Sequence, residues 1–261
     1  MAITAAMVKD LREATGLGMM DCKKALEAAG GDIELAKEDL RKKGMVAAEK
    51  KAGRETSEGL VGIKVEGNSV AMAQILCETD FCSRNDEFKN MVADMTDLVF
   101  QAEEGNVEAT EQMTERLQET LAKIGENMSY SKGIKIVADK IGTYLHHNGK
   151  VGVVVGIMGD CDEETLTGLC QHIAFADPMG ITAEDVPAEL VAKEREIAIH
   201  QAVESGKPQE IAEKMVEGKI RKFVAERSLL EQNFIKDDKK KVKDVLGGAT
   251  VKAFARFAVG G

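Results

Sequence analysis

Tryptophan is absent from the 261-residue chain, and aromatic residues make up only 4% of it. A chain so poor in rings has little with which to stack bases, which argues against a platform for single-stranded nucleic acid. Excess positive charge is missing too. The net charge is −10 and the pI is near 5.1, a balance unsuited to general binding of a phosphate backbone. No run of 18 apolar residues occurs, so no transmembrane helix is expected. The cysteines number five, an odd count at irregular spacing, which fits a reducing cytosol better than a disulfide framework. The opening stretch "MAITAAMVKDLREATG" carries charges too early for the apolar region of a signal peptide. A cytoplasmic protein with no direct nucleic-acid or membrane partner is expected.

The motifs of common active sites are missing as well. There is no G-x-x-x-x-G-K-[ST], no G-x-S-x-G and no H-E-x-x-H. Cys77 and Cys82 stand near each other, but a zinc site usually needs four tightly spaced ligands. The cysteines read as small apolar fillers, and neither metal nor cofactor is expected. His172 sits beside Ile173 in an apolar helical pattern and reads as a packed residue; His200 lies in a charged stretch and reads as solvated. His146 and His147 precede Asn148-Gly149 at a hairpin tip, a place where function concentrates. Nothing in the sequence supplies them with a nucleophile or an orienting partner. The expectation is a binding protein rather than an enzyme.

What is present is a folded α+β pattern. The apolar fraction, 44%, is ordinary for a globular chain. The first ~50 residues predict three short helices with a thin core, marginal as an isolated unit. Thr4 is placed to cap the first. Met19, Cys22, Leu26 and Ala29 mark the second; Asp32 opens the third, whose Ile33, Ala36 and Leu40 form a stripe ending at Gly44. A hairpin follows, turning at Gly67-Asn68, then helices over about 84–104 and 107–124 and a strand in "SKGIKIVAD". The pattern recurs with a hairpin turning at Asn148-Gly149, the helix "EETLTGLCQHIAFAD", and a last strand alternating Val251, Ala253, Ala255, Phe257 and Val259. The organisation read from this is a three-helix domain over 1–54 and core halves over 55–140 and 141–261. Each half holds a three-stranded antiparallel sheet with helices on one face. Residues 188–228 form an inserted antiparallel helical hairpin joined through Ser205-Gly206-Lys207-Pro208. Its stripes are read as Leu190, Ile197 and Gln201 against Ile211, Met215, Ile220 and Phe223. The arm is either a solvated appendage or a docking element.

Two further features stay open on position alone. Phe81, at a corner between strand and helix, either staples the helix to the sheet or points outward. Met19 and Met20 are either bundle core or an adaptable contact surface.

Five stretches taken together carry a resemblance: "GLGMMDCKKALEAAGGDIELAKEDLRKKG", "ETDF" at 78–81, "KIGENM" at 123–128, "EIAEKMVEGKIRKF" at 210–223 and "LLEQNFIKDDKKKV" at 229–242. In this order they resemble the bacterial translation elongation factor Ts family. The resemblance implies a ubiquitin-associated-like N-terminal bundle, a core of two α+β subdomains and a coiled-coil insertion. It implies nucleotide exchange on the GTPase elongation factor Tu, bound with GDP or without nucleotide, and a homodimer formed through the insertion. It also implies that Thr79, Asp80, Phe81 and Cys82 intrude near the Mg²⁺ site of the GTPase. Further contacts would fall on Met19, Met20 and Lys23, on Ile124 and Gly125, on His146 or His147, and on Ile235 and Lys236. Cys82 stands where the family commonly has Val, and Lys236 where some relatives have an apolar residue. Some relatives continue past the final strand into a further helix, whereas this chain ends at "ARFAVGG". The rival class is a pure adaptor, which would bind without affecting nucleotide.

Overall fold

The computed structural model describes residues 3–204, 206 and 208–260, leaving aside the side chains of residues 45 and 47–49. The chain opens with α1 (Ala5–Thr15), α2 (Met19–Ala28) and α3 (Ile33–Lys51). Thr4 caps α1, its hydroxyl accepting from the Met7 N–H at 3.3 Å, and Asp32 caps α3 through the Leu35 N–H at 3.0 Å. The spacing read from sequence builds the expected thin core of Val8, Leu11, Cys22, Leu26, Ala36 and Leu40.

The first core half runs β1 (Glu58–Glu66), β2 (Ser69–Cys77), α4 (Asp80–Arg84), α5 (Asp86–Gln101), β3 (Gly105–Val107), α6 (Glu111–Ile124) and β4 (Met128–Val137). The hairpin turns at Gly67-Asn68, as expected. The helix expected over about 84–104 is α5, and the short α4 before it is additional. Asn85 lies in extended backbone between them and caps α5, accepting from the Glu87 N–H at 2.8 Å; this local bond competes with helix continuation. The helix expected from 107 begins at Glu111 behind the cap Thr110, and Gly105–Val107 pairs with β4 instead. The sheet therefore has four strands, ordered β1-β2-β4-β3, rather than three. A strand of three residues is too short to show alternation. The bundle docks on this half through α3, which continues past Gly44, where its apolar stripe ends, to Lys51. Gly44 is buried, and a Cβ there would lie 3.3 Å from the Ala122 Cβ on α6. The close helix contact outweighs the roughly 0.5–1 kcal/mol cost of an interior glycine.

The second half runs β5 (Lys140–Leu145), β6 (Val151–Met158), α7 (Glu163–Ala176), α8 (Ala188–Glu204), α9 (Gln209–Arg227), β7 (Asn233–Phe234), β8 (Asp237–Lys241), α10 (Val242–Val245) and β9 (Thr250–Ala258). Its main sheet has the expected three strands, ordered β5-β6-β9. The short β7-β8 hairpin is additional; its charged residues carry no apolar alternation to reveal it. One departure lies in β9. A register shift opposite Gly156 and Ile157 leaves Lys252 unpaired, so Val251 faces α7 while Ala255, Phe257 and Val259 face the other sheet.

The halves pack sheet to sheet. Val61, Val70, Met72 and Ile136 of the first meet Val154, Ala255, Phe257 and Val259 of the second. The outer face of the first sheet is covered by α5, through Phe88, Met91, Met95 and Val99. That of the second is covered by α7, through Leu166, Leu169, Cys170 and Ile173. The central strands β2 and β6 are accordingly buried on both faces. Gly152 sits in the sheet interface, where a Cβ would lie 2.6 Å from Val61 Cγ1 and 3.0 Å from Met72 Sδ. Only glycine permits that approach.

The arm of α8 and α9 holds a small core of its own: Ala198, Ala202, Val216 and Ile220, flanked by Val191, Ala212 and Val224. Ile220 lies in this seam as expected, but other positions of the expected stripes do not. Leu190, Ile197, Gln201 and Ile211 are exposed, because small alanines and valines let the two helices pack more closely than the larger side chains would. Of the joining residues, Ser205 and Lys207 lie outside the described residues.

Candidate partner-binding surface

The sequence T-D-F-C-S forms the start of a short helix. Thr79 is its N-cap, the hydroxyl accepting from the Cys82 N–H at 3.2 Å. In one and a half turns, Cys82 and Ser83 point inward and Phe81 outward. The Phe81 ring is 79% exposed, so it does not staple helix to sheet. Asp80 follows the cap and pairs with Arg84 across one turn at 2.9 Å. Cys82 departs from the expected contact set. It is 2% exposed and belongs to the core beneath α5, because the residue one step along the helix from an outward ring faces in. A side-chain hydrogen bond with the free Cys82 thiol and burial both push the Cys77 thiol above its ordinary range; Cys77 donates to the Thr79 carbonyl at 3.3 Å. Burial pushes the Cys170 thiol up to about 12.

Two sequence motifs meet here. The Glu126 carboxylate accepts from the Thr79 N–H at 3.1 Å and from the Thr79 hydroxyl at 2.9 Å. Glu78 answers by accepting from the Asn127 N–H at 2.6 Å and pairing with Arg54 at 3.4 Å. Asn127, itself buried, donates its side-chain amide to the Arg54 carbonyl at 2.8 Å. This reciprocal clamp ties "ETDF" to "KIGENM" and fixes the helix that carries Phe81. The Thr79 hydroxyl is fully engaged, donating to this clamp and accepting from the Cys82 N–H. Ile124 is half-buried against the first-half core, and Gly125 is exposed at the end of α6, with its carbonyl accepting from Lys51. Neither Glu78 nor Glu126 stands out in sequence as a functional residue. The signal available was the acidic residue in each motif, whose partner lies 47–49 residues away.

The remaining expected contacts occupy three places. Met19 and Met20 are exposed at the start of α2 and line a groove with Ile3, Val8 and Lys9 of the α1 region, so they are surface rather than bundle core. Lys23 is exposed beside them and reaches Glu27 at 3.8 Å. At the second hairpin tip His146 is half-buried, its Nδ1 2.7 Å from the Tyr144 hydroxyl, and the exposed His147 ring lies 4.2 Å from it. The tip is secured to the first half, since the Gly149 carbonyl accepts from the Val61 N–H at 2.8 Å. Ile235 and Lys236 form the exposed two-residue turn of β7-β8. A neighbour missed in sequence is Phe175 on α7, 79% exposed and lining the same groove as Ile235. An aromatic two residues past the buried Ile173 falls off the apolar stripe, and that offset was the available sign.

Among the described residues, no cluster of three or more His, Cys, Asp or Glu is arranged to hold a metal ion, and no helix is long and apolar enough to cross a membrane. The arrangement offers exposed apolar residues on capped turns and helix starts, which suits contact with another macromolecule.

A family model described as Elongation factor TS matches residues 78–261, more than half of the chain. Elongation factor Ts of Idiomarina loihiensis is 47% identical over 270 residues, covering 100% of this chain and 92% of that protein. The Aeromonas hydrophila protein of the same name is 46% identical over 272 residues, covering 99% and 91%. That of Vibrio cholerae is 44% identical over 262 residues, covering 100% and 92%.

Proposed function

This chain belongs to the elongation factor Ts family, and from that membership we propose that it is a guanine nucleotide exchange factor for elongation factor Tu. It acts in the cytoplasm during translation elongation, by protein contact and without chemistry of its own. The observation that supports this reading best is the exposed Phe81 ring on a helix held rigid by the Glu78–Asn127 and Thr79–Glu126 clamp.

The mechanism is a coupling between two ligands of one GTPase. Factor and nucleotide each weaken the other's binding by the same free energy. GDP is held through its Mg²⁺ ion, phosphate contacts and ordered loops. Phe81 enters beside the Mg²⁺ site and separates groups that support the metal, with Asp80 alongside. Thr79 and Cys82 act from behind, one as cap and clamp, the other as core. Burying a phenyl ring gives about 1.5–3 kcal/mol, whereas a thousandfold loss of nucleotide affinity needs about 4 kcal/mol. The ring therefore works with additional contacts: Met19, Met20 and Lys23, Ile124 and Gly125, His146 and His147, and Ile235 and Lys236. Their binding holds Phe81 in place, and an incoming nucleotide reverses the sequence. The exposed Leu190, Ile197 and Ile211 of the arm form a homodimer contact.

Stopped-flow release of fluorescent GDP from elongation factor Tu tests the proposal. Release accelerated by this protein supports it. Binding without acceleration would reduce the chain to an adaptor.

A further inference from the structure

The β7-β8 hairpin is a poor anchor for its own tip. β7 has two residues, and the ladder slips between Asn233 and Phe234; so short a pair is unstable by itself. What holds the tip lies across the groove on α7. His172, 2% exposed, presents Nδ1 to the Ile235 N–H at 3.2 Å. A backbone N–H only donates, so Nδ1 carries a lone pair and the ring proton sits on Nε2. That proton points at Gln232 Oε1, 2.9 Å away. The Gln232 amide donates onward to the Glu226 carbonyl on α9 at 2.8 Å. One neutral imidazole thus ties α7 directly to the turn and, through Gln232, to the root of the arm. The ring also lies against Phe234, with centroids 6.0 Å apart.

We infer that His172 is the positioning residue for the β7-β8 tip, its unprotonated Nδ1 fixing the orientation in which Ile235 and Lys236 meet the GTPase. The second part rests on the proposed function; the anchor itself rests on geometry alone. A doubly protonated ring would set a second N–H against the Ile235 N–H, donor facing donor. Lys222 and Glu226 of α9 and Glu231 before β7 are the charged groups lining this groove, and the Lys236 side chain of the turn lies beside Gly168 on α7. Glu231 is already engaged by Lys241 and Lys243. Burial lowers the His172 pKa from its ordinary 6.5, with the Gln232 bond opposing, so the neutral form that the anchor requires is the one that burial favours. The neutral ring's contribution is complete above about pH 6.5 and is lost as pH falls through the lowered folded value.

The test uses the full chain in three forms: the parent, His172→Gln and His172→Asn. The Asn side-chain oxygen takes the place of Nδ1, whereas Gln reaches only toward Gln232. In the protein alone, amide hydrogen exchange at Ile235 is expected to be slow in the parent, about tenfold faster in H172Q, and largely restored in H172N. Imidazole nitrogen shifts are expected to show the Nε2–H tautomer. In the GDP-release assay, H172Q is expected to raise the half-saturating concentration several-fold with the maximal rate unchanged, and H172N to recover it. The opposite tautomer, or Ile235 exchange as slow in H172Q as in the parent, would overturn the anchor. Equal impairment of release by Gln and Asn would reduce His172 to packing. A parent that fails to accelerate GDP release would instead remove the proposed function, and the amide measurement would still judge the anchor.

Discussion

Replacing Phe81 by alanine separates a ring that acts on a partner from one that supports the fold. The ring is 79% exposed, so folding removes only about a fifth of it from water. Full burial of a phenylalanine is worth about 1.5–3 kcal/mol, and a fifth of that is about 0.3–0.6 kcal/mol. Phe88, seven residues on and fully buried under the first sheet, would by contrast cost about 3–5 kcal/mol on the same truncation. Thr79 caps the helix and Glu126 holds Thr79 in either case, so α4 should survive the change. Against the GTPase the ring goes from water into a packed site, and losing it forfeits about 1.5–3 kcal/mol, or about ten- to a hundredfold in GDP release. Urea unfolding and stopped-flow GDP release on the same variant read the two quantities separately. Loss of more than about 2 kcal/mol in unfolding, with release at the parent rate, would refute the reasoning, since it would make the ring structural.

Glu126→Ala removes the acceptor of the Thr79 N–H and of the Thr79 hydroxyl and is expected to destabilise by about 1–3 kcal/mol. It should also slow GDP release in protein that remains folded; normal release would show that the clamp does not position Phe81. Gly152→Ala drives a methyl group to 2.6 Å from Val61 Cγ1 and should cost about 1–3 kcal/mol by thermal unfolding, and an unchanged melting temperature would contradict the sheet-to-sheet contact. Sedimentation at micromolar concentration should show a dimer that becomes a monomer when residues 189–227 are removed, with the rest of the chain still folded because the arm has its own core. A monomeric parent would refute the arm as a dimer contact.

Much of the fold could be read from neighbours in the chain. Thr4 and Asp32 sit one residue before helices they cap, and Gly67-Asn68 and Asn148-Gly149 lie at the two hairpin tips. The repeat of hairpin, helix and strand correctly indicated two sheets with helices on one face. The family was equally legible, because five motifs in order leave few alternatives. Reading failed where a short signal competed with a long one. The five-residue α4 and the three-residue Gly105–Val107 each lie beside a strong helix that masks them. In the arm, Ile220 was placed in the seam correctly, but Leu190, Ile197 and Ile211 were taken for positions that Ala198, Ala202 and Val216 in fact fill.

The sequence by itself determined the local elements, since caps, turns and amphipathic periods act between residues a few positions apart. Only the tertiary structure decided which way each candidate side chain points. Phe81 and Cys82 are adjacent and both apolar, yet one is exposed and the other buried, because α4 must lay one side on the core beneath α5. That orientation is held by Glu126, 47 positions from Thr79. The Ile235 turn is likewise held by His172, 63 positions away. The pairing of β2 and β6 faces across the sheet interface, and the bulge at Lys252 that turns Val251 away from it, have the same origin. Contacts between distant parts of a chain depend on closure of the whole fold, which no window of sequence contains.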